Sequence, residues 1–267
     1  MRQGTTAASA LTLTAAMLFS AAAAADAWEP GFNFSLSHSP SYDVEGGSRN
    51  AMDGDLTGLT FNYASAGQYP GRASIYYAVG SSDFSGEEQF SDISADDRVL
   101  DVQLATGKSY ESGGIEVIPF AGFGFYEMRQ SFDGGSLGDD SGIVVPARKH
   151  RYFYVPVGFY VGSTSALDMV NIFYQVTLKP VLTGESKIGS GATQARMNIG
   201  SGFGFDVETG FHFPTKRNWN VFTSVYYREW DIGSSSRGAI ISDDTVIAVK
   251  DVSTKHNELG GRIGIQF

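Results

Sequence analysis

A chain of 267 residues can hold one domain behind an export signal, and its 42% hydrophobic content coexists with a mean hydropathy of −0.11, so apolar residues are interleaved with polar ones. The 33 Gly, 19 Phe and 13 Tyr suit short strands and open links better than helices. A formal charge of −10 without any basic run excludes nucleic acid as a partner, because phosphate contacts need clustered cations.

Residues 1–25 read as a cleavable signal peptide. Arg2 supplies the positive start, Ala7 to Ala25 is apolar but built mostly of Ala, Thr and Ser, and Ala23-Ala24-Ala25 offers a cleavage site. Cleavage after Ala27, at Ala25-Asp26-Ala27, fits as well. Residues 26–267 then form a single domain. No later run approaches the ~18 apolar residues of a spanning helix; Val117 to Tyr126 is the most apolar stretch, and Pro119, Gly122 and Gly124 interrupt it.

From Glu29 onward, period-two alternation marks strands with two unlike faces. Gly31–His38 sets Phe32, Phe34 and Leu36 against Asn33, Ser35 and Ser37. Leu56–Ala64 sets Leu59, Phe61 and Tyr63 against Thr60 and Asn62, and Arg72–Gly80 sets Ala73, Ile75, Tyr77 and Val79 against Ser74 and Tyr76. Arg98–Thr106 carries Leu100, Val102 and Leu104 opposite Asp101 and Gln103. Val117–Gln130 is ambiguous in phase; placing Ile118, Phe120, Tyr126 and Met128 outward puts Glu127 and Arg129 together on the inner face.

Arg151–Gly162 alternates Phe153, Val155, Val157, Phe159 and Val161 with the rest. Val170–Pro180 sets Ile172, Tyr174, Val176 and Leu178 against Gln175 and Lys179. Asn198–Phe211 sets Ile199, Phe203, Phe205 and Val207 against Asp206 and Glu208. Trp219–Trp230 shows Val221, Val225 and Tyr227 opposite Ser224 and Arg228, and His256–Phe267 shows Leu259, Ile263, Ile265 and Phe267 opposite Glu258 and Arg262.

The links between these ten segments alternate in length, roughly 16–25 residues and then about five to ten, as tight periplasmic turns alternate with long external loops in outer-membrane barrels. The pattern predicts an all-β fold: a closed, antiparallel, up-and-down transmembrane β-barrel of about ten strands. Apolar stretches around Asp243-Asp244, Gly238–Ser242 and Thr245–Val249, predict a hairpin. If it enters the wall, the strand count becomes twelve.

At this point the chain resembles integral outer-membrane β-barrel proteins of Gram-negative bacteria. These commonly end in an amphipathic strand with a terminal aromatic, and Leu259, Gly261, Ile263, Ile265 and Phe267 fit that pattern. The resemblance implies recognition of this strand by the barrel assembly machinery. It also implies a setting of outer-membrane lipids and lipopolysaccharide.

The outward set then carries no charge except Arg151 and Glu229 near the external rim. The inward set forms a lumen charge network: Arg72, Arg129, Lys179, Arg228 and Arg262 with Asp101, Glu127, Asp206, Glu208 and Glu258. Ten strands give a backbone radius of roughly 10 Å, which inward Tyr76, Tyr152, Tyr154, Phe173, Phe222 and Tyr226 fill further. A plugged barrel with a structural or surface-interaction role is expected. The alternative is a narrow channel for small solutes; a wide pore is not expected.

Catalytic residues are harder to nominate. In size the barrel resembles the omptin surface proteases, whose chemistry uses paired Asp and an Asp–His pair at the external rim. Here Asp96-Asp97, Asp243-Asp244, His38 and His256 are the nearest candidates, while His212 belongs to a periplasmic turn. A lipid A hydrolase would need Ser, His and acid together, yet Ser37-His38-Ser39 alternates faces. No catalytic set, metal site or cofactor is expected, and no Cys exists to supply a thiolate. Acidic loops (Asp83, Glu87, Glu88, Asp92, Asp96, Asp97, then Asp133, Asp139 and Asp140), with aromatics Tyr42, Phe84, Phe90 and Phe132, suggest host or phage contact.

Overall fold

The computed structural model describes residues 28, 30–46, 50–85, 94–133, 147–163, 170–189, 194–215, 219–242, 245–250 and 253–267. The signal-peptide and cleavage assignments lie outside these residues, as do Glu87, Glu88, Phe90, Asp92, Asp139, Asp140 and Asp243-Asp244. Fifteen strands follow one another: β1 (Gly31–Gly46), β2 (Asn50–Ala64), β3 (Gly71–Ser85), β4 (Ser94–Gly107), β5 (Tyr110–Ser112), β6 (Ile115–Asp133), β7 (Arg148–Tyr154) and β8 (Val157–Ser163) come first. Then come β9 (Asn171–Ile188), β10 (Ala195–Ile199), β11 (Gly202–Pro214), β12 (Asn220–Ile232), β13 (Arg237–Ser242), β14 (Thr245–Lys250) and β15 (Thr254–Gln266).

Ten positions make the wall. The order runs β1, β2, β3, β4, β6, then β7 with β8, then β9, β11, β12 and β15, and β15 pairs antiparallel with β1 to close the cylinder. β7 and β8 are one wall strand interrupted at Val155-Pro156, where Pro156 has no N–H to give. The lattice is kept there by Val155 N–H to the Pro180 carbonyl (3.1 Å) and Gly122 N–H to the Pro156 carbonyl (3.0 Å).

The predicted hairpin forms as β13 and β14, a separate two-stranded sheet outside the wall, so the barrel has ten strands rather than twelve. β5 and the start of β6 make a second small hairpin, joined by Gly113-Gly114. Both have positive φ (61° and 78°), the mirror-image turn that matches strand twist and that L side chains resist.

Most wall strands are longer than the ~9–11 residues needed to cross the hydrocarbon. β1 has 16 residues, β6 has 19 and β9 has 18, so the wall stands above the membrane at the end bearing the long links. This is why Tyr42, Phe84 and Phe132 are not loop aromatics. They lie on β1, β3 and β6 and pack inward, Tyr42 being 2% exposed. The surface-contact reading of those three is corrected accordingly.

An apolar belt encircles the outside. Phe34, Phe61, Ile75, Val102, Phe125 and Phe153 follow one another in register across six neighbouring wall strands, with Ile265 and Val221 continuing on the other side of β1. Water would make such a belt costly; acyl chains make it favourable.

One strand has the opposite phase from that expected. On β6, Ile118, Phe120, Tyr126 and Met128 are buried in the lumen, and Glu127 and Arg129 face outward. The lumen is not uniformly polar: its external part is an apolar core of Tyr42, Val44, Met52, Leu56, Val99, Tyr126, Met128, Tyr152, Trp230 and Ile232. Apolar side chains of β6 complete that core, while Glu127 and Arg129 stand above the belt, where water reaches them. Ile199 is likewise inward rather than outward, because the strand breaks at Gly200-Ser201 before β11 begins.

Candidate functional site

The lumen has three layers. Below the apolar core lies a charged middle layer. Toward the short-link end, Trp28 folds back into the mouth against Ile118, Phe120, Tyr160 and Phe173, its ring centroid 5.0 Å from that of Phe120.

With Glu127 and Arg129 removed from the inner face, four bases meet four acids. Alternation places each: Asp101 sits between Leu100 and Val102, Lys179 between Leu178 and Pro180, Asp206 between Phe205 and Val207, so each points inward while its neighbours meet lipid. Lys179 is fully buried, its Nζ 2.9 Å from Asp101 Oδ2 and 2.6 Å from Asp206 Oδ2. Its ammonium also sits 5.3 Å from the Tyr154 ring centroid and 5.1 Å from that of Trp230. The Tyr154 hydroxyl donates to Asp101 Oδ1, and Gln103 Nε2 donates to that hydroxyl at 3.1 Å.

Glu258 is the second centre. Its Oε1 accepts from Ser39 (2.7 Å), Tyr76 (2.8 Å) and Tyr226 (2.8 Å), and Arg228 Nη1 reaches its Oε2 at 3.4 Å. The Arg228 guanidinium lies between two rings, 4.1 Å from the centroid of Tyr76 and 4.6 Å from that of Tyr226. The third centre is Glu208, which accepts from Arg262 Nη1 through both oxygens (2.8 and 2.9 Å) and from Ser224 Oγ at 2.6 Å. Arg72 joins from the lower layer through Gln175 Oε1 at 2.9 Å.

This arrangement pairs each buried charge with a partner of opposite sign. The space left in the middle layer is a cavity of about 30 Å³ lined by Thr60, Arg72, Gln175, Glu208, Tyr226 and Arg262, among others. That is room for about two waters. Buried ions of both signs are here matched by partners, which is what makes them tolerable in a closed interior.

Among the described residues the catalytic candidates are not brought together. His38 faces outward with Nδ1 3.2 Å from Thr57 Oγ1, whereas Ser37 and Ser39 face inward. Asp96 and Asp97 point to opposite faces, exposed and buried respectively. His256 is buried against His150, with ring centroids 6.2 Å apart, and pairs in register with Val44 rather than with His38. Among the described residues, no cluster of His, Asp or Glu has metal-binding geometry. Of the C-terminal strand, Leu259, Ile263, Ile265 and Phe267 are exposed on the lipid face, and Gly261 shares that face.

Several participants escaped the sequence reading: Trp28, Ser39, Gln103, Gln175 and Trp230 bind or stack on the charged groups. Alternation put Gln103 and Gln175 inward and, continued along β1 and β12, would have put Ser39 and Trp230 there too, but nothing in their identity marked them as partners of particular ions.

No protein-family model matches the chain, and no curated protein is similar to it in sequence. Solved structures are similar in fold. The outer membrane protease OmpT of Escherichia coli superposes with a TM-score of 0.52 at 9% identity, over 89% of this chain and 96% of that one. The transport unit of the autotransporter AIDA-I of E. coli gives 0.48 at 10% identity, over 97% of both chains. Neisserial surface protein A gives 0.37 at 9%, over 89% and 97%. The closed ten-strand wall and the likeness to OmpT show the fold of an outer-membrane β-barrel.

Proposed function

We propose that this chain is an outer-membrane barrel with a structural or surface-interaction role, its lumen closed by side chains. The observation that carries the reading is the middle layer: Lys179 and Arg228 occupy the interior, and the cavities beside them among the described residues are small, about 30 and 10 Å³. Charges of equal number and opposite sign favour mutual neutralisation over selection of one ion sign.

A narrow solute path is the second reading. It is favoured by a strip of small polar residues on the inner face of β1 and β2, beside the charged layer and toward the short-link end. There Asn33 Oδ1, Ser35 Oγ, Ser37 Oγ, Thr60 Oγ1 and Asn62 Oδ1 are buried without a protein hydrogen bond. Planar-bilayer recording separates the two. The wild-type barrel should show no steady open current, and Arg228→Ala with Arg262→Ala should introduce current or lower the temperature at which the folded form is lost. Steady large currents from wild type would overturn the closed reading.

A further inference from the structure

The strand register assembles something the sequence disperses. Arg98 of β4 pairs with Arg129 of β6, Arg129 with Lys149 of β7, Lys149 with Lys187 of β9, and Lys187 with Arg196 of β10. Five cations thus lie in one unbroken register row across five adjacent strands, all on the outward face. At ~4.8 Å per strand the row is about 19 Å long. One step nearer the membrane, Arg151 adds a sixth cation between Glu127 and Glu185.

Among the described residues the acids do not neutralise the row. Glu127 binds Arg129 (2.7 Å), Lys149 (2.9 Å) and Arg151 (2.7 Å) at once, and Glu185 reaches Lys187 at 3.3 Å. Arg98 and Arg196 are exposed and have no ion pair among the described residues, and the Arg129 side chain remains 51% exposed. Asp96, one step above Arg98, is the third acid nearby. The rest of the rim has the opposite sign: Asp43, Glu45, Asp53, Asp55, Asp83, Glu229 and Asp231 face outward on the wall strands, where Lys255 is the one cation beside them among the described residues.

Position decides the partner. Directly beneath the Glu127–Arg151 step lies the aromatic shelf of Phe125 and Phe153, ring centroids 5.2 Å apart, which belongs to the lipid-facing belt. A molecule bound here meets hydrocarbon contacts below and clustered cations above. We propose that this row docks the phosphorylated headgroup of a glycolipid in the outer leaflet, with phosphates on Arg98, Arg129, Lys149, Lys187 and Arg196 and acyl chains over Phe125 and Phe153. Arg presents a fork matched to phosphate oxygens, and anionic headgroups attract each exposed cation near a membrane surface. The length of the row suits a headgroup bearing several anionic groups rather than one small ion. The inference rests on the barrel being membrane-embedded, and it names one lipid partner of its surface.

The test uses the full chain purified from Gram-negative outer membranes in mild detergent, with phosphoglycolipid per protein counted by mass spectrometry. Wild type should retain it. The variant Arg98→Gln, Arg129→Gln, Lys149→Gln, Lys187→Gln, Arg196→Gln should lose more than about tenfold, given about fivefold per cation near an anionic surface. A variant neutralising the acidic rim (Asp43→Asn, Asp53→Asn, Asp55→Asn) should retain it. Should the fivefold variant fail to show the mobility shift of a folded barrel, Arg98→Gln with Arg129→Gln alone should still lose several-fold.

Refolding wild type into phosphatidylcholine vesicles doped with the phosphoglycolipid should enrich that lipid around the protein. Stoichiometric uptake of inorganic phosphate in undoped vesicles would assign the row to the free ion and overturn the lipid assignment. Equal retention by folded wild type and variant would overturn the inference while leaving the barrel reading intact. A folded, freely soluble product would overturn both.

Discussion

Two ionic clusters made of the same residue types behave as opposites in this molecule. In the lumen, Lys179 is wholly withdrawn from water and held by two carboxylates, Asp101 and Asp206. On the outer rim one carboxylate, Glu127, is shared by Arg129, Lys149 and Arg151, and these cations keep 51%, 18% and 36% of their side-chain surface exposed. The inner cluster is locked because an unpaired member would be left buried with little water to solvate it. Among the described residues the outer one has more cations than acids and stays partly open to solvent, which is the basis of the lipid-docking proposal. Environment, more than residue type, separates an internal brace from a recognition surface.

The sharpest way to break the inner brace is Lys179→Met. It should cost about 3–5 kcal/mol, because Asp101 and Asp206 are left facing each other uncompensated. Urea titration of the folded-form gel shift would read this, and adding Asp101→Asn and Asp206→Asn should restore most of the loss. If the single variant melts like wild type, the ammonium is not structurally required.

A charge moved outward tests the boundary between the two environments. Val102→Arg places a cation in the belt row and should cost about 2–4 kcal/mol, by the same titration in vesicles, if that row lies at mid-membrane. The outer cluster should be the most forgiving. Glu127→Gln should change stability by less than about 1 kcal/mol, as expected for partly exposed ion pairs, and should raise retention of phosphorylated glycolipid by removing the acid that competes for the cations. Loss of several kcal/mol there would mean the rim cluster is a brace after all.

How much of this was legible beforehand depended on whether the information was local. The belt was legible because Phe32, Phe34 and Leu36, or Leu259, Ile263 and Ile265, alternate with polar neighbours in the chain itself. Phase on β6 was not, because Glu127-Met128-Arg129 reads equally well with either set inside. The deciding fact, an apolar core in the external half of the lumen, comes from side chains on other wall strands, β1, β2, β4, β7 and β12 among them. Phe123 and Phe125, opposite Gly122 and Gly124, held the missing hint: aromatics meet lipid, and Gly124 leaves space for the Tyr154 ring.

Strand length was underestimated for a related reason. Above the membrane the outward face of β1, with Asp43 and Glu45, turns charged, and the chain there looks like a loop although the ladder continues to Gly46. Lumen pairings such as Lys179 with Asp101, 78 residues apart, depend on stagger around the whole cylinder. The cationic row depends on four separate strand pairings, so no window of sequence contains it.

The seam between β1 and β15 has a kinetic consequence. Every other wall contact joins strands that follow one another along the chain, whereas this one brings together partners such as Ser39 and Glu258, 219 positions apart. Hairpins can zip progressively, but sealing the cylinder requires a very large loop to close before its reward arrives. The last event of folding is therefore expected to be the slowest. Until it happens, both free edges expose unpaired amides that hydrocarbon cannot solvate, which calls for a catalyst or template to shepherd them together.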